Sequence, residues 1–313
     1  MPEPPVTITS LRNPRIVALR KLDQRKHRER QGRFAVEGLQ LLHMALDAGL
    51  CPLELFYCEA LFTGDQAPAL LARTLALGGE AMPVSSDVMH RLSERTDPQG
   101  LVATFALLQR PLETLTLSPD ALLVVVDRLN DPGNLGTLIR TADAVGAAAV
   151  ALVTPCVDAF DPRTVRATMG SVFHVPLFEV SELATFFAHV RSKGLRVVGA
   201  DAHLGQPWDE RPWPGGVALV LGNEAQGLSA DLRVEIDAWA RSSGLSLPVR
   251  ARSTTALMAA SASPGSSRSG SATVATTRPS PGRSTASPTL TDANGTVTPA
   301  AASQRALSSG CWR

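Results

Sequence analysis

The sequence predicts an α/β protein: a small N-terminal α/β domain, a second domain with a parallel sheet covered on both faces, and a tail without a core. Three observations carry this. Five runs between residues 118 and 245 are almost wholly apolar: "ALLVVVD", "AAVALVT", "HVPLFEV", "LRVVGAD" and "VALVLG". Helical stretches at 134–146, 163–172 and 181–194 fall between them. Near-continuous apolar strands alternating with helices are the pattern of parallel strands buried on both faces. Finally, residues 251–313 contain no Ile, Phe, Tyr, Lys or Glu, and hold six arginines and one acid, Asp292, amid Ser, Thr, Ala, Pro and Gly. That composition cannot bury a core and predicts disorder. The boundaries read as 1–110, 118–250 and 251–313.

Composition excludes several classes. No apolar run among the 313 residues approaches the length of a membrane span, and "MPEPPVTITS" lacks the basic and apolar regions of a secretory signal. Cys51, Cys58, Cys156 and Cys311 form no C-x-x-C pair and have no histidine set nearby, so neither structural zinc nor a disulfide framework is expected. A reducing cytoplasm is the expected location, with no metal and no membrane partner.

The net charge of +1 hides an uneven distribution. "RNPRIVALRKLDQRKHRERQGR", from Arg12 to Arg33, holds nine Lys or Arg against two acids, Asp23 and Glu29. Ile16, Leu19 and Leu22 recur near helical spacing, so the segment reads as one helix with an apolar stripe and a basic remainder. One-signed charge at this density suits a polyanion, and its arginines and lysines suit phosphates, which position a nucleic acid without reading its sequence. Arg12, Arg15, Arg20, Lys21, Arg25 and Lys26 are the candidate contacts. Aromatic residues make up only 4% of the chain, too few for a base-stacking platform. Beyond the basic segment, "FAVEGLQLLHMALDAG" has helical periodicity, "LELFYCEALF" is strand-like and "APALLARTLALGG" is helical. "AMPVS" and "GLVATFALL" are extended, and the domain closes near Pro111.

A parallel sheet binds its ligand at the carboxyl ends of its strands. Two such ends are chemically rich: "VDRLNDPGNLG" after the first strand and "LVLGNEAQGLS" after the last. Neither is a G-x-G-x-x-G or a Walker loop. Taken singly, each is a tight turn with an asparagine cap. Taken together, their glycines permit close backbone approach to a ligand, and their amides supply polar contacts. In the helix that follows, Arg140 lies six residues past Asn134, on what reads as the buried side.

The order "NDPGNLGTLIRTADAVG", "VRATMGSVF", "LVLGNEAQGLS" resembles the SpoU/TrmH group of RNA 2′-O-ribose methyltransferases. The stretch "ITSLRNPRIVALRKLDQRKHRERQGRFAVEG" is similar to the substrate-binding domain of its ribosomal RNA members. The resemblance runs from about residue 7 to about residue 248. It implies an L30e-like first domain, a trefoil-knotted α/β second domain and S-adenosylmethionine as methyl donor. It also implies a homodimer and an RNA substrate, ribosomal before transfer RNA. Asn134, Arg140 and Glu224 would then form the catalytic group, with Leu221, Gly222, Asn223, Gly227, Leu247 and Pro248 around the donor. An arginine at its normal pKa is a poor general base, so Arg140 reads as a phosphate clamp that orients the ribose. The duller alternatives are pairing of Arg140 with Asp143 or Asp127, and Glu224 as a residue favoured by a helix start. Trp208 and Trp213 read as loop packing.

After Leu247-Pro248 the family pattern is lost in "VRARSTTALMAASASPGSSRSG". One reading is a basic RNA-binding tail. Another is a slipped coding frame near residue 250. If Arg252-Ser253-Thr254 are written CGG-TCG-ACN, the frame from the third base gives Val-Asp. If Ala262 to Ser267 are GCA-TCG-CCG-GGA-TCT-TCC, it gives Ile-Ala-Gly-Ile-Phe, an apolar run suited to a last helix. Sequencing the gene tests this: an early stop in that frame removes the idea. Without that helix the resemblance implies poor donor binding, an inactive RNA-binding relative being the alternative function.

Overall fold

The computed structural model describes residues 6–208, 213–223 and 226–241. The basic segment forms two short helices rather than one. α1 (Pro14–Arg20) starts at Asn13, whose side chain accepts from the Arg15 N–H, and Pro14 takes a first-turn position where no N–H partner is needed. A 3-10 turn, Lys21–Asp23, leads to an extended Gln24, and α2 (Arg25–Gln31) follows. The apolar stripe is as expected, since Ile16, Leu19 and Leu22 are buried with Phe56, Met89 and Val102. It ends at Leu22, so no apolar residue remains to seat a continued helix. The break instead turns α2 so that its buried residue, Arg28, meets Asp158.

The helix expected from Phe34 starts later. β1 (Arg33–Glu37) buries Phe34 and Val36 and leaves Arg33, Ala35 and Glu37 half-buried, a period of two. α3 (Leu39–Asp47) begins only after Gly38. β2 (Glu54–Tyr57), α4 (Gln66–Ala76), β3 (Glu80–Pro83) and β4 (Leu101–Ala106) fall where the sequence predicts them. α5 (Ser86–Leu92), capped by the Ser85 side chain on the Val88 N–H, is an element the pattern did not reveal. The first sheet runs β1-β4-β2-β3, with β2 and β3 parallel and the other pairs antiparallel.

The second sheet is parallel in every pairing. Its strands are β5 (Gln109–Arg110), β6 (Leu122–Asp127), β7 (Ala149–Val153), β8 (Leu177–Val180), β9 (Arg196–Asp201), β10 (Gln206–Pro207), β11 (Val217–Leu221) and β12 (Ala238–Arg241). They lie in the order β10-β12-β9-β11-β6-β7-β8-β5. β7 and β11 are buried throughout, as their unbroken apolar runs require. β5, β10 and β12 are short additions that no long apolar run announces. Gln109–Arg110 pairs with β8, so the last residues assigned to the first domain belong to the second sheet. α6 (Pro132–Ala144), α7 (Pro162–Ala167) and α8 (Leu183–Ser192) connect the strands, and α9 (Ala230–Arg233) precedes β12.

The two sheets share a core. The Phe34 ring lies 5.0 Å from Phe160 and 6.5 Å from Phe173, and Phe105 lies 5.9 Å from Phe173. A Cβ on Gly170, in the "VRATMGSVF" turn, would collide with Met44 of α3. Ion pairs Arg25–Glu179, Arg28–Asp158 and Arg166–Glu94 cross the same boundary. Trp208 and Trp213 are buried and stacked at 4.9 Å, the loop packing expected of them. The tail reading, and the segment that would complete a knot after Arg241, lie outside the described residues.

Candidate active site

Register brings the two chemically rich ends together, because β11 pairs directly with β6 and Leu221 aligns with Val126. The first turn leaves β6 at Asp127. The Asp131 carboxylate then caps α6, accepting the Asn134 N–H at 2.7 Å, with Pro132 in the first turn. Asn134 is half-buried at the helix start. Arg140 is exposed, not on the buried side as expected. α6 buries Leu135, Leu138, Ile139 and Ala142 and shows Gly133, Thr137, Arg140 and Ala144 outward, the two stripes of one amphipathic helix.

Neither dull partner holds Arg140. Asp143 bonds His174 at 3.3 Å, and Asp127 is fully buried with Oδ2 accepting the Ser229 N–H at 2.6 Å. Among the described residues no ion pair involves Arg140, which leaves its guanidinium for a ligand.

The second turn closes on itself. Asn223 N–H bonds Gly227 O at 3.1 Å, Gly227 N–H bonds Asn223 O at 2.8 Å, and Gln226 N–H bonds Asn223 Oδ1 at 3.1 Å. Asn223 Nδ2 reaches across to Arg128 O at 3.2 Å, stitching the second turn to the first. Gly222 is the tight point, since a Cβ there would lie 2.5 Å from Gly227 C and 2.6 Å from Gly227 O. Beside Gly227 no described residue comes within 4 Å of a placed Cβ. Leu221 is buried in the core, so only its backbone can face a ligand. Glu224, Leu247 and Pro248 lie outside the described residues.

Sequence reasoning named Asp127 only as a dull partner for Arg140 and did not single out Arg128. Asp127 is a wholly buried carboxylate whose Oδ1 has no hydrogen bond among the described residues. Arg128 takes a left-handed backbone, φ +54°. The acid at the end of an apolar strand was a visible signal, but the backbone angle was not. Burial pushes the nearby Cys156 thiol up to about 11, so it stays protonated at neutral pH and offers no nucleophile. Among the described residues no three His, Cys, Asp or Glu side chains converge as a metal site, and no helix is long and apolar enough to cross a membrane.

The six basic candidates divide. Arg15 pairs with Glu54 at 3.3 Å and Glu80 at 2.7 Å, while Arg25 pairs with Glu29 at 2.7 Å and Glu179 at 2.8 Å. These carboxylates raise both guanidinium pKa values, chiefly through the hydrogen bonds that Glu80 and Glu29 accept. Arg12, Arg20, Lys21 and Lys26 are exposed and enter no ion pair among the described residues.

Residues 121–242 match the SpoU rRNA Methylase family, and residues 13–103 match the MRM3-like substrate binding domain. The chain belongs to the SpoU rRNA methylase family. A 23S rRNA guanosine 2′-O-methyltransferase of Bacillus subtilis is 32% identical over 231 residues, 74% of this chain and 87% of that protein. An AdoMet-bound rRNA methyltransferase structure from Sinorhizobium meliloti is 35% identical at a TM-score of 0.72, covering 82% of this chain and 97% of that one. The AviRb SpoU methyltransferase of Streptomyces viridochromogenes, in complex with AdoMet, is 28% identical at a TM-score of 0.72, covering 80% and 97%.

For this SpoU-family, S-adenosylmethionine-dependent RNA methyltransferase, the second turn is the candidate donor site. Its backbone is drawn tight at Gly222, where a side chain would collide with Gly227, and is open beside Gly227 among the described residues. Gly222→Ala is therefore expected to lower S-adenosylmethionine affinity at least tenfold, because the added methyl must push Gly227 aside. RNA affinity should not change. Isothermal titration with donor and with RNA checks both, and unaltered donor binding would discard the assignment of this turn.

Proposed function

We propose that the chain methylates a ribose 2′-hydroxyl in ribosomal RNA, working in the cytoplasm as a homodimer. S-adenosylmethionine supplies a sulfonium-activated methyl group, which needs no metal. The protein's task is alignment: the ribose oxygen must meet the methyl carbon opposite the sulfur, and the hydroxyl must lose its proton. Arg140 holds the phosphate beside the reacting ribose. Asn134 and Glu224 orient the hydroxyl, while Leu221, Gly222, Asn223, Gly227, Leu247 and Pro248 surround the donor. The observation that carries this reading is an exposed Arg140, without an ion pair among the described residues, on the helix that follows the Arg128 loop to which Asn223 is bonded. The bare stripe of Gly133, Thr137 and Ala144 beside it leaves room for a second protomer. Light scattering on the purified chain tests the dimer. Transfer of labelled methyl from S-adenosylmethionine to unmodified 23S rRNA, with transfer RNA in parallel, tests the activity and its substrate. A chain that binds RNA but gives no heat on donor titration supports the inactive relative, which the lost pattern after Pro248 favours.

Phosphate contacts should come from the unpaired members of the basic segment. Replacing Arg12, Arg20, Lys21 and Lys26 together with alanine is expected to weaken RNA binding and to flatten the salt slope by about 3, at roughly 0.7–0.9 per contact. Replacing Arg15 and Arg25 should instead lower the melting temperature and leave most of the slope. Equal slopes for the fourfold variant and the parent chain would remove this face from RNA binding.

A further inference from the structure

Arg128 stands at the carboxyl end of β6 with φ +54°. A side chain bearing a Cβ is disfavoured in that region, and arginine lacks the short amide or carboxylate with which Asn or Asp relieves it locally. The architecture of the site imposes this backbone. Asp127 before it accepts the Ser229 N–H at 2.6 Å, and the Arg128 carbonyl accepts Asn223 Nδ2 at 3.2 Å. A glycine would satisfy the same geometry without strain, so the arginine side chain needs its own reason.

Packing does not supply one. The side chain is 45% exposed, and the nearest carboxylate oxygens are Asp127 Oδ1 at 3.6 Å and Asp231 Oδ2 at 3.9 Å, both beyond hydrogen-bond distance. No hydrogen bond holds the guanidinium among the described residues. Yet it is not loose. The buried Asp127 Oδ1, which has no hydrogen bond among the described residues, lies 3.6 Å from its Nε, and Asp231 Oδ2 on α9 lies 3.9 Å from its Nη2. Two carboxylates thus keep the cation at the rim of the site while leaving its planar fork of N–H donors for an anion.

We infer that Arg128 is a second RNA-phosphate contact at the rim of the active site, a substrate-binding residue in addition to Arg140. The inference rests on the reading of the chain as an RNA methyltransferase. An RNA phosphate is favoured over the donor's carboxylate because the guanidinium faces solvent between β6 and the exposed Asp231, where a polyanion arrives. The donor turn, in contrast, presents backbone groups. Arg128 is thereby kept at a cost in backbone strain because its charge is used.

Arg128→Gly separates function from structure, because glycine suits the backbone and removes only the side chain. Its melting temperature should stay level or rise by up to about 3 °C. Affinity for in vitro transcribed, unmodified 23S rRNA should fall about tenfold, with a salt slope shallower by about 0.7–0.9, one contact's worth. Donor affinity should be unchanged. Arg128→Lys, which restores the charge, should recover the slope and part of the affinity. The inference is overturned if Arg128→Gly binds RNA with the parent affinity and slope. It is also overturned if the variant loses donor affinity instead, which would assign the residue to the donor's carboxylate, or if it melts several degrees lower, which would make the residue structural. If the parent chain itself shows no salt-dependent RNA binding, the functional reading fails first, and that result is visible before any variant is made.

Discussion

Arg140→Ala is expected to lower methyl transfer by about 10²–10³-fold, the range seen when one group that positions or stabilises the reacting centre is removed. Donor affinity should stay close to the parent value, since the turn proposed for the donor follows β11 and Arg140 lies two helical turns into α6. Stability should barely move, because an exposed side chain without a cap or ion pair changes it by about 0.5 kcal/mol or less. Arg140→Lys should fall between the two, keeping the charge but losing the two-pronged geometry that grips a phosphate. Single-turnover transfer to unmodified 23S rRNA, with donor titration and thermal melting alongside, checks all three statements. Full activity in Arg140→Ala would remove the residue from the mechanism. Loss of donor binding would show that it shapes the donor site instead.

The parts of this site that were legible in sequence are those that local chemistry writes directly. Asp131, Pro132 and Asn134 spell a capped helix start, and the structure builds one. Unbroken apolar runs gave β6, β7 and β11, and the adjacency of β6 and β11 then joined the two loops. What stayed illegible depends on partners distant in sequence. Helical spacing places Arg140 on α6, but its outward face depends on which side of the helix the sheet covers. "FAVE" fits a helical period as well as an alternating one, and pairing with β4 decides for the strand. The Arg128 carbonyl is held by Asn223, 95 residues away. In the basic segment one charge run hides two duties. Arg25 and Arg28, three apart on one face of α2, turn to the second domain, whereas Lys26 lies off that face, exposed.

Arg28 is the costliest of these to misread. Its side chain is 3% exposed, and it holds Asp158 Oδ2 through Nε at 2.9 Å and Nη2 at 2.6 Å, with Nη1 donating to Leu22 O at 2.6 Å. Asp158 in turn orders the turn before α7, accepting the Phe160 N–H at 2.8 Å and, on its carbonyl, the Thr164 hydroxyl at 2.9 Å. A basic residue of the charge run, outside the six candidate RNA contacts, is therefore a buried tie between the two sheets. Removing one partner strands the other's charge away from water, at a cost of about 3–5 kcal/mol. Arg28→Met keeps the aliphatic stem and removes only the charge and its donors, and should lower the melting temperature by roughly 6–20 °C for a domain of this size. Asp158→Asn should cost less, because the amide oxygen still accepts from Arg28. The double variant should be more stable than Arg28→Met alone, since no carboxylate is then left unpaired. RNA affinity of Arg28→Met below its melting temperature should match the parent with an unchanged salt slope, because this guanidinium reaches no solvent. Arg28→Met with parental stability and weakened, salt-flattened RNA binding would return Arg28 to the RNA face and break the tie assigned to it.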